Sequence, residues 1–184
     1  MARRGREEPA DDDRDLGPSA DPESVARSIL LTKLTSRARS RRELSEALAA
    51  RDVPQEIADR LLARFERVGL VDDQAFAAAW VESRHRSRGL SRRALSEELR
   101  RKGVDREVAQ TAASRIDPES EREAALQLAI RKRRSLRSVD EATAFRRLTG
   151  MLARKGYPPD VAISVVRQAI GSDEALPDME SEGG

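Results

Sequence analysis

An all-α fold, a tandem array of three three-helix repeats, elongated and curved, is what this chain predicts. Three observations point there. Only 3% of the residues are aromatic while 37% are charged, and Val, Ile, Tyr and Phe are too few to build sheets. Apolar residues recur three times with one internal spacing. Helix start and stop signals bracket each copy.

The elements follow in order. Residues 1–22 are rich in Asp, Glu, Arg, Pro and Gly without periodicity and read as a disordered acidic tail. A first helix runs from about Pro22 or Glu23 to Thr35, with Val25, Ile29, Leu30 and Leu34 on its apolar side. Ser40 and Glu43 form an S-x-x-E capping box ahead of Leu44 and open a second helix through Leu48. Pro54 suits the first turn of a third, whose stripe is Ile57, Leu61, Leu62, Phe65 and Val68, and Gly69 ends it. Asp72 or Asp73 caps the next helix, with Phe76, Ala77, Trp80 and Val81 inward.

A basic helix from Ser91 to Lys102 buries Leu95 and Leu99, and Gly103 stops it. Asp105 starts a helix carrying Val108, Ala109 and Ala112. Pro118 opens another with Ala125, Leu126, Ala129 and Ile130 inward. Asp140 to Lys155 carries Phe145, Leu148 and Leu152 before Gly156. A last helix from Pro158 or Pro159 holds Val161, Val165, Val166, Ala169 and Ile170, and from Gly171 the chain reads as a second acidic tail.

The repeat emerges from these elements. Leu44, Leu48, Val53 and Ile57 match Leu95, Leu99, Val104 and Val108, which match Leu148, Leu152, Tyr157 and Val161. The spacings of four, five and four residues are the same in all three, and the copies are offset by 51 and 53 residues. Asp52 stands where the later copies have glycine, a position Asp fills because it tolerates left-handed backbone. The predicted units are residues 23–70, 71–117 and 118–170, with residues 171–184 as the tail, and neighbours are expected to bury each other's apolar faces.

Charge is segregated along this array. Residues 25–170 carry 31 basic and 20 acidic side chains, net +11, whereas residues 1–24 are net −4 and residues 171–184 net −5. A basic body between acidic tails predicts an anionic partner and tails that compete for the same surface. The densest stretch, Arg84 to Val104, holds eight basic residues against Glu97 and Glu98. Arginines also recur near the start of each second helix: Arg41 and Arg42, Arg92 and Arg93, Arg146 and Arg147. The bland alternative is a solvated face with i,i+4 ion pairs worth about 0.2–0.5 kcal/mol each, and recurrence in phase with the fold argues against it.

Several chemistries lack their residues. Without cysteine there are no disulfides or thiolate sites, and a lone histidine, His85, leaves His-based metal sites and most nucleophile–base pairs without members. Neither G-x-x-x-x-G-K-[ST] nor G-x-G-x-x-G occurs. Asp72 and Asp73 read as caps rather than a catalytic pair, and Trp80, Phe65, Phe76 and Phe145 as core rather than base-stacking platforms. The basic start lacks the apolar run of a secretory signal, and no window nears the ~18 apolar residues of a membrane span. A cytoplasmic, monomeric, non-enzymatic protein without cofactor or metal is expected.

Three segments carry a resemblance: LLTKLTSRARSRREL from Leu30, GLVDDQAFAAAWVESRHRSRGLSRRALSEELRRKGV from Gly69, and ARKGYPPDV from Ala153. Over residues 25–170 the chain resembles the RecX family, bacterial modulators of the RecA recombinase. The resemblance implies a small helical protein that binds RecA and its filament on single-stranded DNA, inhibiting filament growth, ATP hydrolysis, strand exchange and coprotease activity. The expected RecA- and DNA-binding surface is Arg37, Arg41, Arg42, Arg84, Arg86, Arg88, Arg92, Arg93, Arg100, Arg101, Lys102, Arg131, Lys132, Arg133, Arg134, Arg146 and Arg147. The competing reading is a helix-turn-helix DNA-binding protein acting without RecA. Its second helices, however, offer Ser, Glu and Ala beside the arginines rather than base-reading Asn or Gln.

Overall fold

The computed structural model describes residues 21–174; the remainder of the two expected acidic tails lies outside them. The described residues form nine helices and no strand: α1 (Pro22–Ser36), α2 (Arg41–Ala49), α3 (Gln55–Arg67), α4 (Asp73–Arg88), α5 (Arg92–Arg101), α6 (Arg106–Ser114), α7 (Pro118–Arg134), α8 (Glu141–Arg154) and α9 (Pro159–Glu174). Side-chain caps set most of their starts. Asp21, Asp72, Asp105, Asp117 and Asp140 each accept a backbone N–H of the first turn, and Ser40 and Glu43 complete the capping box on α2.

The periodic leucines become three separate cores. One gathers Leu30, Leu44, Leu48, Leu61, Leu62 and Phe65; the second Phe76, Val81, Leu95, Leu99 and Val104; the third Leu148, Leu152, Tyr157, Val165 and Val166. Every substantial helix–helix packing falls inside a repeat, the most extensive being α7 on α9, α5 on α6 and α8 on α9. The expectation that neighbours share apolar faces is therefore corrected: each three-helix unit closes its own core, and the units meet through polar groups. The three helices of each unit already surround one hydrophobic centre with their buried Leu, Val, Phe and Ala side chains, and apolar contact between units is confined to places such as Leu128 beside Gly89.

Smaller corrections have local causes. Val25 and Val68, expected inward, are 38% and 62% exposed. Ala26 lies one turn before Leu30 and takes the buried position on α1, while Val68 follows the last turn of α3 and has left the helical phase. The final helix continues through Gly171 to Glu174, four residues beyond the expected limit of the third unit. Periodicity marks the end of burial, not the end of backbone hydrogen bonding.

Candidate functional site

The paired arginines at Arg41 and Arg92 open the helices that form polar junctions between units. In the first unit the Ser40 hydroxyl donates to the Lys102 carbonyl at 2.6 Å, and the Arg41 backbone N–H donates to Asp73 Oδ1 at 2.8 Å. In the second, the Ser91 backbone N–H donates to the Lys155 carbonyl at 3.0 Å, and the Arg92 N–H donates to Glu121 Oε1 at 2.7 Å. Each time, the start of one unit's second helix docks on the turn that ends the next unit's second helix.

One residue accounts for the difference in donors. Glu43 at the third position of α2 already accepts the Ser40 N–H, so the hydroxyl reaches across. The matching residue of α5 is Ala94, which leaves the Ser91 N–H available for Lys155. Both serines are fully buried.

The turns that receive these edges need glycine. At Gly156, φ +91°, an added Cβ would lie 2.4 Å from Ser91 Oγ and 2.6 Å from Ala94 Cβ. At Gly103, φ +82°, it would lie 2.1–2.7 Å from the aliphatic stem of Arg42. Asp52, φ 55°, occupies the same turn of the first unit and is exposed.

Charge completes each junction. Lys102 Nζ pairs with Glu43 at 2.8 Å and lies 4.4 Å from the Trp80 ring, over which the Arg84 guanidinium also sits at 4.3 Å. The Trp80 indole N–H donates to Glu98 at 3.1 Å. Trp80 thus packs half-buried against the second core, as expected, with its outer face caged by these charges. Burial pushes the Glu43 carboxyl up, but the hydrogen bonds from Lys102 and Ser40 and the charges of Lys102 and Arg37 outweigh it and hold the group below its usual range. Asp73 moves the other way, because its burial exceeds the help of the Arg41 N–H. At the second junction the Tyr157 hydroxyl donates to the Gly89 carbonyl at 3.1 Å, and burial with the nearby Glu121 charge raises the phenol to about 12.

The expected basic surface consequently divides in two. Arg41 contacts Glu66 at 3.1 Å and Asp59 at 3.7 Å; Arg42 pairs with Glu46, Arg86 with Glu82, and Arg37 with Glu43. Arg92 binds Glu121 at 2.7 Å, and Arg93 donates to the Gly156 carbonyl at 3.2 Å. Arg84 and Lys102 belong to the Trp80 cage, and Arg133 donates to the Leu136 carbonyl. By contrast, Arg100, Arg101, Lys132, Arg134 and Arg147 are exposed and make no ion pair among the described residues.

The third pair of arginines is not equivalent to the first two. Aligning Leu44, Leu95 and Leu148 puts Phe145 and Arg146 opposite Arg92 and Arg93, and Ala144 opposite Ser91. The α8 helix begins earlier, with Asp140 as its cap, so Arg146 and Arg147 lie in its second turn. Arg146 lies close enough to Asp140 to help lower that carboxyl, after the hydrogen bonds from Thr143.

A residue absent from the expected surface joins it at the second junction. Lys155, the counterpart of Lys102, meets no acid; its ammonium donates to the Arg88 carbonyl. Burial, then the charges of Arg88 and Arg131, lower its pKa. The fold thus gathers Arg88, Arg131 and Lys155 from the ends of three helices without a carboxylate, and an anion bound among them would relieve that repulsion. The shared RKG and RRKG sequences before Gly156 and Gly103 were the signal for Lys155.

Beside this cluster, a groove of about 690 Å³ separates the second and third units. Its apolar floor includes Ala113, Pro118, Tyr157 and Val161, and Arg100 and Arg106 stand on it without ion pairs. Asp72 caps α4 as expected. No group of three or more His, Asp or Glu among the described residues could hold a metal ion, and no described helix is long and apolar enough to cross a membrane.

Comparison with known proteins gives a consistent set of matches. Family models described as the first, second and third three-helix domains of RecX match residues 26–65, 72–112 and 119–166. The regulatory protein RecX of Streptomyces coelicolor is 53% identical over 153 residues, covering 83% of this chain and 81% of that protein. That of Amycolatopsis mediterranei is 47% identical over 156 residues, covering 83% and 89%. The crystal structure of RecX from Lactobacillus salivarius shares the fold at a TM-score of 0.74 and 18% identity, across 83% of this chain and 99% of that one.

Proposed function

Because this chain belongs to the RecX family of regulatory proteins, we propose that it is a non-enzymatic negative regulator of the RecA recombinase. It binds the RecA–single-stranded DNA filament as a cytoplasmic monomer, without cofactor, and inhibits filament growth, ATP hydrolysis, strand exchange and coprotease activity. The observation that carries this reading is the set of basic side chains that the fold leaves without acidic partners: Arg88, Arg100, Arg101, Arg131, Lys132, Arg134, Arg147 and Lys155. They project from a string of units joined end to end, a form suited to lying along a repeating polymer and reaching several protomers or phosphates.

The helix-turn-helix alternative is less well supported. A recognition helix needs its first turn open to enter a major groove. In the first two units that turn is packed on the following unit through Ser40, Arg41, Ser91 and Arg92.

The test is single-stranded-DNA-dependent ATP hydrolysis by RecA, titrated with this protein. Inhibition at substoichiometric amounts is expected, weakened at least about tenfold, or ~1.4 kcal/mol, by combining Arg131→Ala, Lys132→Ala, Arg134→Ala and Lys155→Ala. Tight binding to bare DNA with no effect on RecA would favour the alternative.

A further inference from the structure

The groove between the second and third units has an apolar floor and a rim on which Arg92, Arg93, Arg100, Arg106 and Arg122 outnumber Glu97, Glu119 and Glu121, and the chain itself contains a segment of complementary chemistry. Residues 175–184 carry Asp178, Glu180 and Glu182 with no basic residue, and place Leu176 and Met179 among them. We infer that this acidic C-terminal segment is the groove's own occupant, with Leu176 and Met179 toward the apolar floor and the carboxylates toward Arg100 and Arg106.

Reach and direction support the assignment. The first turn of α9 forms one wall of the groove through Val161, and the same helix ends at Glu174. Thirteen residues of helix separate them, about 20 Å at ~1.5 Å per residue. Ten extended residues span up to about 33 Å at ~3.3 Å each. The segment is therefore long enough to run back along α9 and enter the groove.

The path is cationic as well. Arg122, which lines the groove, donates to Ser164 Oγ at 3.2 Å and to Gln168 Oε1 at 2.9 Å, so its guanidinium lies against α9 between the helix end and the groove. The N-terminal segment is a poorer candidate. It joins the chain at α1, in the first unit, and carries four arginines among its acids.

Docking of the segment requires nothing of RecA. Its consequence, that an acidic or polyanionic partner must displace the segment before using the groove, rests on the filament reading. The two can be tested apart.

Because the chain lacks cysteine, Glu182→Cys accepts a single nitroxide label on the full-length protein. Amide signals of Arg100, Arg106 and Val161 in the isotopically enriched chain should lose at least about half their intensity at low salt and recover at high salt, since the attraction is screened. The same label in an Arg100→Glu, Arg106→Glu background should leave them undiminished. Both side chains are exposed and unpaired, so the fold is retained, which circular dichroism verifies. Unchanged intensities at low salt would overturn the proposal. So would loss appearing only between labelled and enriched molecules in a mixture, which would identify a second copy as the occupant. In the RecA assay, deletion of residues 175–184 should lower the inhibitory concentration severalfold. Equal inhibition despite observed docking would overturn the competitive role and leave the docking standing.

Discussion

Replacing Gly156 by Ala tests the architecture at its tightest point. The residue sits at φ +91°, where an L side chain costs roughly 1–2 kcal/mol on backbone grounds. Its Cβ would also meet Ser91 Oγ at 2.4 Å and Ala94 Cβ at 2.6 Å, short groups held by the first turn of α5 rather than the far end of a flexible chain. Forced overlap of this kind adds about 1–3 kcal/mol, so the total is about 2–5 kcal/mol. Gly69 supplies the control: it has φ +73° and open space around its Cβ position, so Gly69→Ala should cost only the backbone part.

Stability alone would not show where the damage falls, because three separate cores need not unfold together. The single tyrosine does. Tyr157 is adjacent to the substitution and donates to Gly89 across the same junction, and its phenol is raised to about 12 by burial and the Glu121 charge. In Gly156→Ala, ultraviolet titration should find the phenol moved back toward 10.0, its ordinary value, while Gly69→Ala leaves it near 12. A Gly156→Ala protein with the wild-type phenol titration and the stability of Gly69→Ala would refute the docking argument.

Other outcomes follow from the same junctions. Glu121→Gln removes the charge that receives both the Arg92 N–H and its guanidinium, and should cost about 1.5–3 kcal/mol in urea unfolding while lowering the Tyr157 pKa. Asp52→Gly should stabilise the first unit by up to about 1 kcal/mol, since a positive φ is relieved at an exposed residue. The neutral Tyr157 phenol is favoured by the fold, so its contribution to stability is full below pH 10 and is lost as pH rises toward 12, measurable by circular dichroism. Glu43 has the opposite dependence. Its lowered carboxyl stabilises the first junction above the ordinary carboxylate pKa and loses that contribution as pH falls through its own lowered value, releasing Lys102 and changing the emission of Trp80. Absence of the emission change in Glu43→Gln would confirm the assignment, and its persistence would refute it.

The sequence by itself determined the three-unit plan. Recurrent leucines must be buried, and their common spacing marks which positions face inward, so Leu44, Leu95 and Leu148 with their partners were recognisable from the sequence, although whether each unit closes its own core was not. The caps at Ser40, Asp72 and Asp105 and the turns at Asp52, Gly103 and Gly156 were legible for the same reason: each is a local requirement of the backbone. Even the family was readable from local segments.

Only the tertiary structure decided what the charges do. Arg92 and Arg93 reach the next unit with their side chains and Arg41 with its backbone N–H, while Arg146 and Arg147 sit in the second turn of their helix. A charged side chain carries no periodic signature of its partner. Whether it meets Glu121, a carbonyl or open solvent depends on groups some thirty to sixty residues away. The basic cluster of Arg88, Arg131 and Lys155 is likewise assembled from three helix ends that only the docking of separate cores brings together.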